Sequence, residues 1–207
     1  MKRQNTVMNR RKTLKTIAAS ACWVGAGGLF GACSSRFHGL DITGADYGKD
    51  FQLTDFNGQP RTLADFKGKV VVMFFGYVQC PDVCPTTLLQ MAQLKQRLGA
   101  DGGRLQVLFV SVDPERDTPQ VLRAYMDSFD PTFLALYTAS PQQLAELARD
   151  YRVIYRKVPG KTPGSYSMDH TAASYIYDPQ GRLRLQMRYG MALDDLEADV
   201  KLLLQGA

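Results

Sequence analysis

Cys80 and Cys84 lie in the run Cys80-Pro81-Asp82-Val83-Cys84-Pro85, with three residues between them. A thiolate is both a nucleophile and a metal ligand, so such a pair suits thiol–disulfide exchange or the holding of a soft ion. If the turn between them is helix-like, the two side chains face the same way and can also close a disulfide without large backbone movement. The commoner redox spacing has two intervening residues. The third makes a wider loop, better suited to opening a bite for metal. Flanking prolines and Asp82 argue against deep burial of either sulfur, and a disulfide closing so small a loop would add little by constraining the unfolded chain.

What surrounds the pair says where it sits. Val70-Val71-Val72-Met73-Phe74-Phe75 is a continuous apolar run that predicts a strand buried on both faces. After the cysteines, Pro85 fits the first turn of a helix. Thr87, Leu88, Met91, Leu94 and Leu98 then form an apolar stripe, and Gly99 supplies a stop. The cysteines therefore belong to a strand-to-helix turn, where unpaired N–H groups and the helix dipole favour an anion. That placement predicts a lowered pKa for Cys84.

Further elements follow from periodicity and capping. Asn57-Gly58 marks a hairpin near the start of the domain. Residues 105–112 and 133–137 read as strands; Thr118-Pro119 and Ser140-Pro141 open helices reaching Phe129 and about Tyr151. A Gly/Pro/Ser-rich loop, Pro159 to Ser167, leads to Asp169-His170. Residues 171–177 and 183–189 read as a hairpin turning at Asp178-Pro179-Gln180-Gly181, and a last helix covers 193–204. Strands alternating with helices, then a hairpin and a helix, predict an α/β sandwich with a mixed sheet.

At 207 residues the chain holds one domain and a targeting segment. Its net charge of +5 is concentrated at the N-terminus: residues 1–33 carry six basic side chains and no acidic one, leaving 19 basic against 20 acidic beyond them. A concentrated basic surface for nucleic acid is thus absent from the sequence pattern. Asn9-Arg10-Arg11-Lys12-Thr13 resembles a twin-arginine export signal, with Asn9 and Thr13 departing from the usual Ser and Phe. Leu29-Phe30-Gly31-Ala32-Cys33 resembles a bacterial lipoprotein cleavage site. The sixteen residues from Thr16 to Gly31 fall short of the roughly 20 apolar residues that span a bilayer. The expected organisation is a signal peptide over 1–32, a lipidated tether over 33–48 anchored through Cys33, and a domain over 49–207 on the periplasmic side of a bacterial membrane. Cys22 leaves with the signal, so Cys80 and Cys84 are the free thiols of the mature chain. One pair is too few for a stapled scaffold.

Three segments carry a resemblance: Cys80-Pro81-Asp82-Val83-Cys84-Pro85, Ser111-Val112-Asp113-Pro114-Glu115-Arg116-Asp117-Thr118-Pro119, and Asp169-His170-Thr171 before a hairpin with Asp178 and Gly181 at its turn. In that order they resemble the Sco/SenC family of thioredoxin-like copper chaperones, over roughly residues 45–205. The resemblance implies a thioredoxin-like three-layer sandwich, a mixed sheet flanked by helices with an N-terminal β-hairpin. It also implies that Cys80, Cys84 and His170 are copper ligands, for Cu(I) and also Cu(II). Its implied partner is the cytochrome c oxidase subunit that carries the dinuclear copper site.

Donor chemistry agrees: two sulfurs and one nitrogen complete a trigonal Cu(I) site, whereas structural zinc usually takes four protein ligands. His38 would supply a fourth only if the tether folded back. His170 borders the Gly/Pro/Ser loop, which could bring it to the cysteines and release it, and begins a strand. Asp169-His170 also replaces the proline that thioredoxin-type reductases place before this strand. Asp82, Asp113 and Asp117 read as capping and turn residues; Tyr166 and Met168 read as loop packing. The alternative function is a thiol-disulfide reductase using Cys80 and Cys84 on a partner's metal-site cysteines. A peroxidase fits poorly, because Tyr77 and Pro81 stand where it would need Thr or Ser three residues before the attacking cysteine.

Overall fold

A computed structural model describes residues 37–207 of the protein; the expected signal peptide and the expected lipidation site, Cys33, lie outside the described residues. Ten strands and four α-helices follow in order: β1 (Leu40–Asp41), β2 (Leu53–Asp55), β3 (Pro60–Arg61), β4 (Val70–Gly76), α1 (Val83–Arg97), β5 (Leu105–Ser111), α2 (Pro119–Asp127), β6 (Leu134–Tyr137), α3 (Pro141–Asp150), β7 (Tyr155–Pro159), β8 (Tyr166–His170), β9 (Ala173–Tyr177), β10 (Leu183–Arg188) and α4 (Leu193–Leu204). Eight strands form one mixed sheet in the order β1-β10-β9-β4-β5-β6-β2-β3, while β7 and β8 pair only with each other. β4, β5 and β6 run parallel; β9 lies antiparallel to β4 on its other side.

The apolar run of β4 is buried on both faces because alternate side chains enter different cores. Val70, Val72 and Phe74 join Leu88, Met91 and Leu94 of α1, Leu122 and Met126 of α2, and Leu196, Val200 and Leu203 of α4. Val71, Met73 and Phe75 face Leu147 and Tyr151 with Leu63 and Phe66 of a 3₁₀ turn. The result is a three-layer α/β sandwich. The N-terminal hairpin β2–β3 turns at Asn57-Gly58, where Gly58 has φ +78°. Thr118 caps α2 by accepting from the Val121 N–H at 3.3 Å, and Ser140 caps α3 from Gln143 N–H at 3.2 Å, each with proline at the first helical position.

Three differences from the sequence reading matter. Residues 37–48 are no free tether: Phe37 is buried, β1 pairs with β10, and buried Asp199 accepts from the His38 and Gly39 N–H groups at 2.9 and 2.8 Å. The segment 155–170 is a β-hairpin, so His170 ends a strand rather than following a loop. Finally, Cys84 is fully buried. The α1 stripe that begins at Thr87 extends back to it, and position 84 faces the sheet. Among the described residues, no helix is long and apolar enough to cross a membrane.

Candidate metal centre

Topology brings the site together. Parallel β4 and β5 end side by side, with the Val112 N–H donating to the Gly76 carbonyl at 2.8 Å. The cysteine turn therefore leaves β4 beside the segment that leaves β5. Antiparallel β9 begins at that same end, pairing Ser174 with Phe74. Residues just before β9 must then pass the cysteine turn, and His170 is among them. Among the described residues, Cys80, Cys84 and His170 form the one cluster of three or more Cys, His, Asp or Glu donors, their ligand atoms within 4.8 Å of one another.

Each member is held differently. Cys84 is the second residue of α1, and its sulfur fills space that exists because residue 76 is glycine. A Cβ on Gly76 would lie 2.6 Å from that sulfur and 2.6 Å from the Phe109 ring. Cys80 is half-buried at the surface of the turn, its N–H bonded to the Tyr77 carbonyl at 3.1 Å. His170 Nε2 lies 3.6 Å from Cys84 Sγ. Its Nδ1 is 3.1 Å from the Thr171 carbonyl, which can only accept, so Nδ1 donates there and Nε2 faces the sulfurs. The ring of Tyr77 packs edge-on against the imidazole, centroids 5.9 Å apart.

The negative charge settles on the opposite sulfur from the one the helix position alone predicts. A hydrogen bond from Cys84, with further help from His170 and backbone N–H groups, overcomes burial and pulls the Cys80 thiol down to about 3. Cys84 moves up: it donates to Cys80, is buried, and is repelled by the neighbouring charge. A helix N-terminus contributes about 1 kcal/mol, too little against full burial. The resting pair is one half-buried thiolate and one fully buried thiol.

Asp113 and Asp117 do more than form turns. Asp117 is buried, accepts from Ser111 Oγ at 2.7 Å and from the Val78 N–H at 3.3 Å, and so ties the cysteine turn to β5. Burial, partly offset by those bonds, raises it to about 6. Asp113 accepts from the Tyr166 hydroxyl at 2.8 Å, reaching across to the His170 hairpin. Met168 and Tyr166 lie on β8 rather than in a loop: Met168 is buried in the core, and Tyr166, at the turn end of the hairpin, packs against it. Asp82 stays exposed at the helix start. His38 faces Asp195 instead, 3.3 Å away. Sequence reading missed Gly76, Tyr77 and Arg116; only Arg116 carried a signal, inside the quoted motif.

Fold and site define a thioredoxin-like protein with a centre of two thiols and one imidazole at its first strand-to-helix turn. The SCO1/SenC family profile matches residues 41–205, and the chain belongs to that family. It is 41% identical over 134 residues to the mitochondrial SCO2 homolog of Bos taurus, an overlap that covers 64% of this chain and 50% of the bovine protein. The chain thus spans about half the length of that relative. A SCO2-like protein of Rickettsia felis is 31% identical over 178 residues, 82% of this chain and 86% of that one. Among solved structures, copper-bound ScoI of Bradyrhizobium japonicum is 42% identical, with TM-score 0.68 over 77% of this chain and 99% of that one. Copper-bound yeast Sco1 is 29% identical, with TM-score 0.70 over 79% and 91%.

Proposed function

We propose that this protein is a copper-binding assembly factor: it takes up Cu(I) between Cys80, Cys84 and His170 and passes it to, or prepares, the dinuclear copper site of cytochrome c oxidase. The observation that carries the reading is the convergence of two sulfurs and an imidazole nitrogen within 4.8 Å. The donor set suits the cargo. Thiolates select soft Cu(I), imidazole is acceptable to it, and three donors fill a trigonal site. A structural zinc site would need a fourth ligand, and no carboxylate or second imidazole joins the cluster among the described residues. Copper-bound ScoI and yeast Sco1 share the fold and the family.

The protein's own groups handle the proton and the exchange. Cys80 is already ionised, so uptake displaces one thiol proton, from Cys84. Half-exposed Cys80 and His170 present the cargo to solvent, and buried Cys84 holds its inner side. Transfer proceeds by replacing the exposed ligands with a partner's. The client enters this reading through the family resemblance; export and lipid anchoring at Cys33 on the periplasmic side rest on the N-terminal signal pattern.

The second reading is a reductase that delivers electrons from the same dithiol. Cys80 weighs against it: stabilising the thiolate stabilises the reduced pair, which makes the couple a weaker electron donor. The same stabilisation keeps the pair ready for metal. Competition titration of the reduced protein with Cu(I) tests the first reading, which expects one ion bound with submicromolar affinity. No binding in that range would sink it. A potential well below the ~−180 mV of protein disulfide isomerase would favour the second.

A further inference from the structure

We infer that Arg116 is a positioning residue, the latch that sets His170 against the cysteine pair; the inference rests on the copper-site reading above. The hairpin β7–β8 that carries His170 pairs with no strand of the main sheet, so its seating depends on side chains. One guanidinium joins three segments there. Arg116 Nη1 donates to Gln79 Oε1 of the cysteine turn at 2.8 Å and to the Tyr166 carbonyl of β8 at 2.9 Å, while Nε donates to Asp113 Oδ2 at 2.5 Å. The guanidinium also lies over the Tyr166 ring, 3.5 Å from its centroid, with Lys157 3.9 Å from the same centroid. Its approach to the Tyr77 ring is 5.6 Å, and that ring is the one packed against His170.

Tyr166 and His170 are the two ends of β8. Arg116 fixes the far end while Tyr77 packs the near one, so the strand presents His170 at a set distance from Cys84. A merely local role, closing the turn through Asp113 three residues away, leaves Gln79 and Tyr166 unexplained, since they are 37 and 50 residues distant in sequence. Arginine suits the task because its planar fork bonds in several directions and stacks on an aromatic face at once. Lysine, a compact point charge, has no planar fork with which to do both at once.

The test is Cu(I) affinity by competition, with Cys22→Ser and Cys33→Ser in the background so that Cys80 and Cys84 are the only thiols. Arg116→Lys, His170→Ala and their double variant are compared, alongside hydrogen exchange of residues 155–170 in the metal-free protein. The latch predicts that Arg116→Lys weakens binding by about 10- to 100-fold, in the range of outer-shell ligand supports. It also predicts faster exchange in the hairpin with α1 and α4 unchanged, and a double variant no weaker than His170→Ala alone. Wild-type affinity in Arg116→Lys, or additive losses in the double variant, would overturn it. If Arg116→Lys does not fold, Gln79→Ala carries the same cycle by cutting only the link to the cysteine turn. Should His170→Ala bind copper normally, the copper-site reading itself fails, and the latch with it.

Discussion

Cys80 and Cys84 share one negative charge, and which sulfur holds it decides how the site reacts. With Cys80 drawn down to about 3 and Cys84 pushed up, iodoacetamide at about pH 5 should modify Cys80 rapidly and spare Cys84. Peptide mapping checks this, and equal labelling would refute it. Asp117 gives a stability prediction whose sign can be worked out. Its folded value, about 6, lies above the ordinary 3.8. The folded state therefore holds the proton more tightly, and the stability this group contributes at low pH is lost as pH rises through 6. Asp117→Asn stays neutral throughout, so its denaturation midpoint should fall less than wild type's between about pH 4 and pH 7; equal slopes would contradict the account. The dithiol and its helix-terminal position were legible in the sequence. The charge assignment was not, because the dipole can be inferred from local pattern whereas the burial that outweighs it depends on how α1 packs on the sheet.

At the scale of elements, the strand β4 and helix α1 are built around a contact that glycine permits. Gly76→Ala would force a methyl against Cys84 Sγ and the Phe109 ring, so it should destabilise the fold by about 1–3 kcal/mol and weaken copper binding together. A denaturation curve and a Cu(I) titration on the same sample check both; loss of neither would show the contact to be slack. By contrast, Thr118→Ala removes the α2 cap and should cost ~1 kcal/mol with copper affinity intact. Apolar runs and capping residues marked most elements within a residue or two, as at α4, where 193–204 is observed as expected. The hairpin β7–β8 escaped because Tyr155-Arg156-Lys157-Val158-Pro159 is exposed or half-exposed along its length. A strand with no buried face leaves no alternation to read.

Across the whole molecule, the N-terminal stretch and the last helix close the fold on each other. Asp199 is buried in α4 and its carboxylate takes both the His38 and Gly39 N–H groups. Asp199→Ala leaves those donors unpaired and should lower stability by about 1–3 kcal/mol, measured by urea denaturation, while the copper site stays as it was. Residues 37–48 looked like a tether because they are short and polar; their pairing partner, β10, lies more than 140 residues away, beyond the reach of local pattern. The same distance logic applies to the site, where the cysteine turn alone pointed to chemistry and His170 was reached through the family motif. The arrangement of those three side chains is the central claim. X-ray absorption at the copper edge of the Cu(I)-loaded protein should find two sulfur neighbours and one nitrogen, with the nitrogen lost in His170→Ala. A spectrum with sulfur alone, or one that His170→Ala leaves unchanged, would contradict it.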